Sequence, residues 1–442
     1  MITQSEKKLY FYRVKLKLII LLLFAVIFHL SCRKNKDEVA PVITIIKPYE
    51  NQQYSTLDTV WVTATVDDET ALKQIDVTLT DENKTPVLQT MSILPNNKNY
   101  TFTIPYDIND IELSSGNYFI RVRATDGTNV HDTYRTIKID AIPKVLKYVY
   151  ILSFGNSTTI HALRKTSSGN PQQMFDINGD FSASAVSSKF QLFYTCGKTF
   201  GDMHAYNVSD ETEAWSIPVI SDPPFPYFEN IGCYNDILYT SFYNGYIKGY
   251  NKNGSITFNA TTPTGTYPQK VMVTSSYLFA DHAEYSGSAK VFAVYYAVSG
   301  ALKQQMTTNY GVLEMFEKDN DNIVLFGNQN GQAVMNIYKI SDNGTWAPHT
   351  LPTGKLYDAI QLSEDHYILA LASGLYYYDY SDNSLTSYLS DIATDIKFDS
   401  TTSELYASSG HNIRVYDYNS HTLINTITVA DSILDFRFLY NR

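Results

Sequence analysis

Cysteine is nearly missing: three of 442 residues, too few for a disulfide framework to hold the fold. Cys196 and Cys233 stand in strand-like runs, LFYTCG and NIGCYN, with no CxxC pair and no histidine at metal-ligand spacing. They read as buried free thiols, a disulfide between them being the alternative. Basic charge is also scarce, 34 Lys and Arg against 45 Asp and Glu for a formal net charge of -11. No basic patch stands out, which argues against a nucleic-acid partner. Long apolar runs are absent but for LIILLLFAVIF (Leu18 to Phe28). As a helix it would reach about 16 Å, roughly half a hydrocarbon core, so it suits a signal-peptide core and not a membrane span. No GxSxG, HExxH or phosphate loop occurs. Long helix-forming runs are few, whereas Tyr contributes 36 residues and Phe 22. That aromatic wealth favours strands, whose pleated surface accommodates rings.

Residues 1–31 carry Lys7, Lys8, Arg13, Lys15 and Lys17 against Glu6 ahead of or around the apolar run. The run ends in HLSC, which resembles a bacterial lipobox. The resemblance implies cleavage before Cys32 and acylation of its thiol; an ordinary signal peptide is the alternative. An acyl chain holds by its buried methylenes, about 0.8 kcal/mol each, so membrane contact is expected through the anchor alone. Residues 32–40 form a polar tether. Within it Lys36-Asp37-Glu38 resembles the signal that sends Bacteroidetes lipoproteins to the outer face of the outer membrane. Surface exposure is therefore the expectation, the periplasmic face the alternative.

Residues 41–140 hold seven strand-like runs between Asn-, Asp- and Gly-bearing turns, the count and spacing of an antiparallel β-sandwich. GNYFIRVRATDG and its last strand resemble the closing strands of bacterial Ig-like and cadherin-like domains, without a disulfide-pinned core. Asp67, Asp68 and Glu69 in one turn and Asp126 in another would lie at one end of such a sandwich. They could bind a structural Ca²⁺; the alternative is that Asp simply makes turns. No other cofactor is expected.

From residue 145 onward a strand–turn–strand pattern returns seven times. One column aligns Leu163, Tyr206, Tyr250, Tyr295, Tyr338, Tyr378 and Tyr416, with steps of 38 to 45 residues. Each such hairpin follows another, so a unit is four strands, the length of a propeller blade. The first unit lacks its innermost strand and the chain finishes with a spare one, ILDFRFLYN. Residues 145–442 are thus expected to form a seven-bladed β-propeller closed by the C-terminal strand, because stacking and closure bury both faces of every blade. The repeats resemble YVTN and quinoprotein-like propellers, and MHAYNVSDETEAWSI comes near the quinoprotein repeat with Trp215 at its tryptophan. The resemblance is structural: an adjacent cysteine pair and the carboxylate–Asn metal set of quinone dehydrogenases are missing. SDNGTW (Ser341 to Trp346) resembles a sialidase Asp-box one residue short, and reads as a blade turn.

Aligning the start of each innermost strand brings Phe181, Phe228 (with Tyr227 beside it), Tyr267, Tyr310 and Tyr357 to within one residue of a common position. Outer loops of that face would add Tyr243, Tyr246, Tyr285, Asn328 and Asn330. Aromatic faces with nearby amides suit sugar rings or extended peptides; rings that wedge between blades are the alternative. Asp281-His282-Ala283-Glu284 offers a base and two carboxylates in a loop, a weak metal pattern. His161 and His204 share a solvent-facing strand column. The expectation is a monomeric, non-catalytic binding protein for an extracellular glycan or protein ligand. A periplasm-facing assembly scaffold and a polysaccharide-active enzyme are its rivals.

Overall fold

The computed structural model describes residues 38–165, 169–220, 224–352 and 354–442. The leader, Cys32 and Arg33 to Asp37 lie outside them. The described residues are all-β and divide into two compact units at Pro143/Lys144.

In the first unit Val42–Lys47, Thr59–Asp67 and Asn99–Asp107 form one sheet. A second runs in the order Gln52–Ser55, Val130–Asp140, Gly116–Thr125, Gln74–Thr80, Met91–Ile93. Strict alternation in Thr59–Asp67 turns Val60, Val62, Ala64 and Val66 inward. They share one core with Ile75, Val77 and Leu79 and with Ile120, Val122 and Ala124 of the second sheet, as the two-residue period of a strand requires. Gln52–Ser55 was not among the seven expected runs; it is polar and pairs parallel to Val130–Asp140 at the sheet edge.

The second unit is a β-propeller of small sheets following one another in sequence, among the described residues six four-stranded and one, led by Gly311–Glu317, five-stranded. The second runs Ala183–Ser187, Leu192–Cys196, Met203–Asn207, Glu213–Ile217, and the third Phe228–Tyr234, Ile237–Phe242, Tyr246–Tyr250, Ile256–Thr261. Sheets led by Thr266–Val273, Gly311–Glu317, Leu356–Gln361 and Asp395–Asp399 follow. In the first sheet, Leu146–Asn156 is flanked on one side by Thr159–Lys165 and on the other by the last strand, Ile433–Tyr440. That pairing sets Phe436 against Ile151 and Phe438 against Val149. Each leading strand contacts the next, and Ile433–Tyr440 contacts Ala183–Ser187.

The repeating tyrosine column has a local reason. Tyr338 and Tyr378 are fully buried, yet their hydroxyls donate to Asn343 (2.9 Å) and Asn383 (2.7 Å) in the following turns. Both asparagines take a left-handed backbone, φ 48° and 57°, a conformation Asn tolerates better than most residues. One side chain thus fills the core between blades and pins the turn.

Candidate functional site

Tyr243, Tyr267 and Tyr285 come from two successive sheets and meet at one end of the propeller. Tyr267 opens the strand Thr266–Val273. Tyr243 lies in the turn before Tyr246–Tyr250, where Gly245 adopts φ +86°, a position that a side chain would strain. Tyr285 follows Tyr277–Glu284. Ring centroids are 4.6 Å apart for Tyr243–Tyr267, 5.2 Å for Tyr243–Tyr285 and 5.3 Å for Tyr267–Tyr285. The Tyr285 hydroxyl donates to the Tyr243 carbonyl at 2.5 Å, fixing the pair. Exposed Phe225 stacks 6.4 Å from Tyr243, extending the group. Tyr246 is exposed nearby in sequence, with the Lys248 ammonium over its ring.

The other aligned aromatics have different surroundings. Phe228 is fully buried, with Tyr227 4.7 Å away and Phe242 5.4 Å away. Tyr227 and Tyr310 are also buried, at 8% and 3% exposure. Tyr357 is 37% exposed under Lys355, and half-buried Phe181 lines the central cavity. The Asn328 amide is taken up by the backbone of Leu356, donating at 2.9 Å and accepting at 2.8 Å. Asn330 occupies a left-handed turn position.

One to four residues beyond the aligned aromatics, and at the matching place in the other two leading strands, lies a polar column that periodicity did not reveal: Ser184, Asn230, Lys270, Glu314, Asp358, Asp395 and Asp435. In five of the seven strands a register shift falls just before it, as between Phe228 and Asn230 or Val312 and Glu314. Such a bulge re-aims the side chains that follow. Lys270 pairs with Glu314 at 2.6 Å, and Arg437 with Asp435 at 2.7 Å. Ser184 Oγ donates to Asp435 Oδ2 at 2.7 Å. Lys397 contacts Asp395 and, at 3.7 Å, Asp358. Asp358 also accepts from the backbone of Ala359 (2.9 Å) and Ile396 (2.8 Å). Burial alone would lower the Lys270 pKa, but Glu314 outweighs it and the ammonium is held above its ordinary range. Burial raises the carboxyls of Asp395 and Asp435 despite Lys397 and Arg437. Between these strands lies a cavity of about 440 Å³, walled by the Lys270–Glu314 and Arg437–Asp435 pairs and by Ser184, Asn230 and Gly232.

The remaining expected groups fall as follows. Asp281, His282 and Glu284 lie on a strand and not in a loop, which corrects the sequence expectation: the segment Tyr277–Glu284 is buried along its length and pairs with a strand on each side. Burial pushes the Asp281 carboxyl up to about 8 and the His282 imidazole down to about 4. His282 sits between the Val291 carbonyl and the Tyr295 hydroxyl, 3.0 Å from each. His161 pairs with Asp176 at 2.6 Å and His204 with Glu213 at 2.7 Å, each across to an outermost strand. Asp67 accepts from Asn99, Asp68 from the Thr70 backbone at 2.7 Å, and Asp126 from the backbone of Thr128 (2.5 Å) and Asn129 (2.7 Å). Glu69 is exposed. Among the described residues no three His, Cys, Asp or Glu side chains are placed to hold a metal ion. Cys196 and Cys233 are free thiols.

No protein family matches the chain, and no curated protein does. Solved structures resemble it at low identity. A quinoprotein alcohol dehydrogenase-like protein from Bacteroides thetaiotaomicron is 12% identical, over 90% of this chain and 99% of that one, at a TM-score of 0.46. The WD40 β-propeller domain of Doa1 is 10% identical over 62% and 90%, at 0.46. Kuenenia stuttgartiensis hydrazine synthase is 10% identical over 64% and 95%, at 0.47.

Proposed function

We propose that the chain is an outer-membrane lipoprotein, acylated at Cys32, in which an Ig-like sandwich serves as spacer for a seven-bladed propeller closed by its C-terminal strand. The propeller binds an extracellular glycan on the end carrying Tyr243, Tyr267 and Tyr285. The observation that carries this reading is the tyrosine cluster, with Tyr285 45% exposed and Phe225 59% exposed beside it. Clustered rings at a surface offer flat C–H-accepting faces, and tyrosine adds hydroxyls at the rim for a sugar's polar edge. Large apolar rings cost solvation when left in water, which favours a covering ligand over bare exposure. The leader and the Lys36-Asp37-Glu38 tether support an address on the outer face.

Glycan-array binding of the full chain tests the ligand class. Tyr267→Ala and Tyr285→Ala should each weaken a positive signal about tenfold, equivalent to roughly 1.4 kcal/mol; unchanged binding would assign those rings to packing. Protease shaving of intact cells tests the address. Loss of the propeller places it outside, and full protection would favour the periplasm-facing scaffold instead. Release of shortened products from an arrayed polysaccharide would move the protein to the enzymes.

A further inference from the structure

We infer that the central cavity seats the end of that glycan as an uncharged, polyhydroxylated unit of one or two sugar rings, a deepening that rests on the glycan reading above. Three observations support it: the cavity's size, its charge balance and its position.

The volume of about 440 Å³ would hold about 15 waters at roughly 30 Å³ each. It falls within the range of roughly 300–1,000 Å³ usual for small-ligand sites. The space exists because one side of the channel carries small residues, Ser184 and Gly232, where the facing strands carry long charged ones.

The walls are balanced. Lys270 lies 2.6 Å from Glu314 and Arg437 2.7 Å from Asp435, so two bases meet two acids. A ligand bearing a net charge would bring an uncompensated charge into this confined space and pay its desolvation without a free counter-charge. A hydroxyl does better, because it donates to the carboxylate and accepts from the ammonium or guanidinium of one pair without parting them. Asn230 adds an amide whose hydrogen-bonding capacity is not used within the protein among the described residues, one donor group and one acceptor side by side. That pairing matches adjacent hydroxyls on a ring.

The position joins the two sites. Phe181 lines the cavity and lies two residues before the leading strand Ala183–Ser187, much as Tyr267 lies at the start of Thr266–Val273. Leading strands of successive sheets enter from the same end, so the cavity mouth and the tyrosine cluster face the same side. A chain lying across Tyr243, Tyr267 and Tyr285 can turn its terminal unit into the opening.

Isothermal titration of the full chain tests this with neutral probes (glucose, galactose, mannose, N-acetylglucosamine, cellobiose, maltose) against glucuronic acid and glucosamine. The expected result is saturable binding of at least one neutral sugar and none of the charged pair. Asn230→Phe, which fills the cavity, should abolish that binding, and Asn230→Ala should weaken it at least fivefold with an unchanged melting temperature. If no neutral sugar binds, or the charged sugars bind as well, the cavity inference falls. It falls too if Asn230→Phe and Asn230→Ala, both folded, bind like the wild type. Array binding that depends on Tyr267 but not on Asn230 would overturn the cavity and leave the aromatic face standing. Dependence on Asn230 alone would keep the cavity and remove the face, and independence of both would sink the two together.

Discussion

Ser184 Oγ donates a 2.7 Å hydrogen bond to Asp435 across 251 positions of chain, and Arg437 donates to the same carboxylate oxygen at 2.7 Å while its Nε donates to Ser184 Oγ at 3.2 Å. The last strand is therefore fixed on two fronts, by its ladder to Leu146–Asn156 and by polar contact with the neighbouring sheet.

Loss of that strand's anchors should destabilise the propeller. Leu439 is fully buried among Tyr150, Leu152 and Phe193, so Leu439→Ala should cost about 2–5 kcal/mol in urea unfolding. Asp435→Ala removes the acceptor for both Ser184 and Arg437; with the Arg437 side chain 32% exposed, the loss should be smaller, on the order of 1–3 kcal/mol. Deletion of residues 431–442 without effect on the unfolding midpoint would contradict this role.

The aligned aromatics should separate by phenotype. Tyr310, almost wholly buried in the core with Phe279, Phe292 and Tyr338, should behave like a core aromatic, with Tyr310→Ala costing about 3–5 kcal/mol. Tyr243→Ala should leave the unfolding free energy within about 1 kcal/mol and act on ligand capture. Thermal denaturation paired with array binding distinguishes them, and a Tyr243→Ala protein that fails to fold would reassign that ring.

Stability should depend on pH through two neighbours with opposite signs. Asp281 is raised to about 8 in the folded state from an unfolded value near 3.9. Its contribution is fully present below about pH 4 and is lost as pH rises through about 8. His282 is lowered to about 4 from about 6.5, so its contribution is present above about pH 6.5 and lost as pH falls through about 4. Asp281→Asn should therefore be more stable than wild type at pH 9 and close to it at pH 4, while His282→Gln should flatten the acid side. Parallel melting curves from pH 4 to 9 for both variants are the measurement.

The two described thiols should resist alkylation in the native state. Burial, then the Asp236 charge, pushes Cys233 up to about 12, and burial raises Cys196 well above its ordinary value. Thiolate is the reactive form, so a maleimide assay should count neither residue until denaturant is added. Rapid native labelling of Cys196 would contradict its burial.

The repeat was legible because a propeller blade imposes two periods at once. A half-buried strand alternates every second residue, and the tyrosine that six of the seven units carry in the third strand returns near every forty. The polar edge strand Gln52–Ser55 and the strand position of Asp281 and His282 were misread or missed for one reason: pairing partners far along the chain decide them. Nothing local in a short polar run predicts a parallel neighbour more than eighty residues away.

By itself the sequence determined strand content, the four-strand unit and the pairing potential of its two ends, since alternation and spacing act locally. Which rings face solvent was decided only in three dimensions. Phe228 and Tyr267 begin successive leading strands, yet one is sealed against Phe242 and the other joins Tyr243 and Tyr285 from two adjacent blades. The polar column was equally invisible, because its seven members share no chemistry beyond polarity. Backbone bulges and the meeting of separate sheets aim them at a common space, and neither is written in the spacing of a single strand.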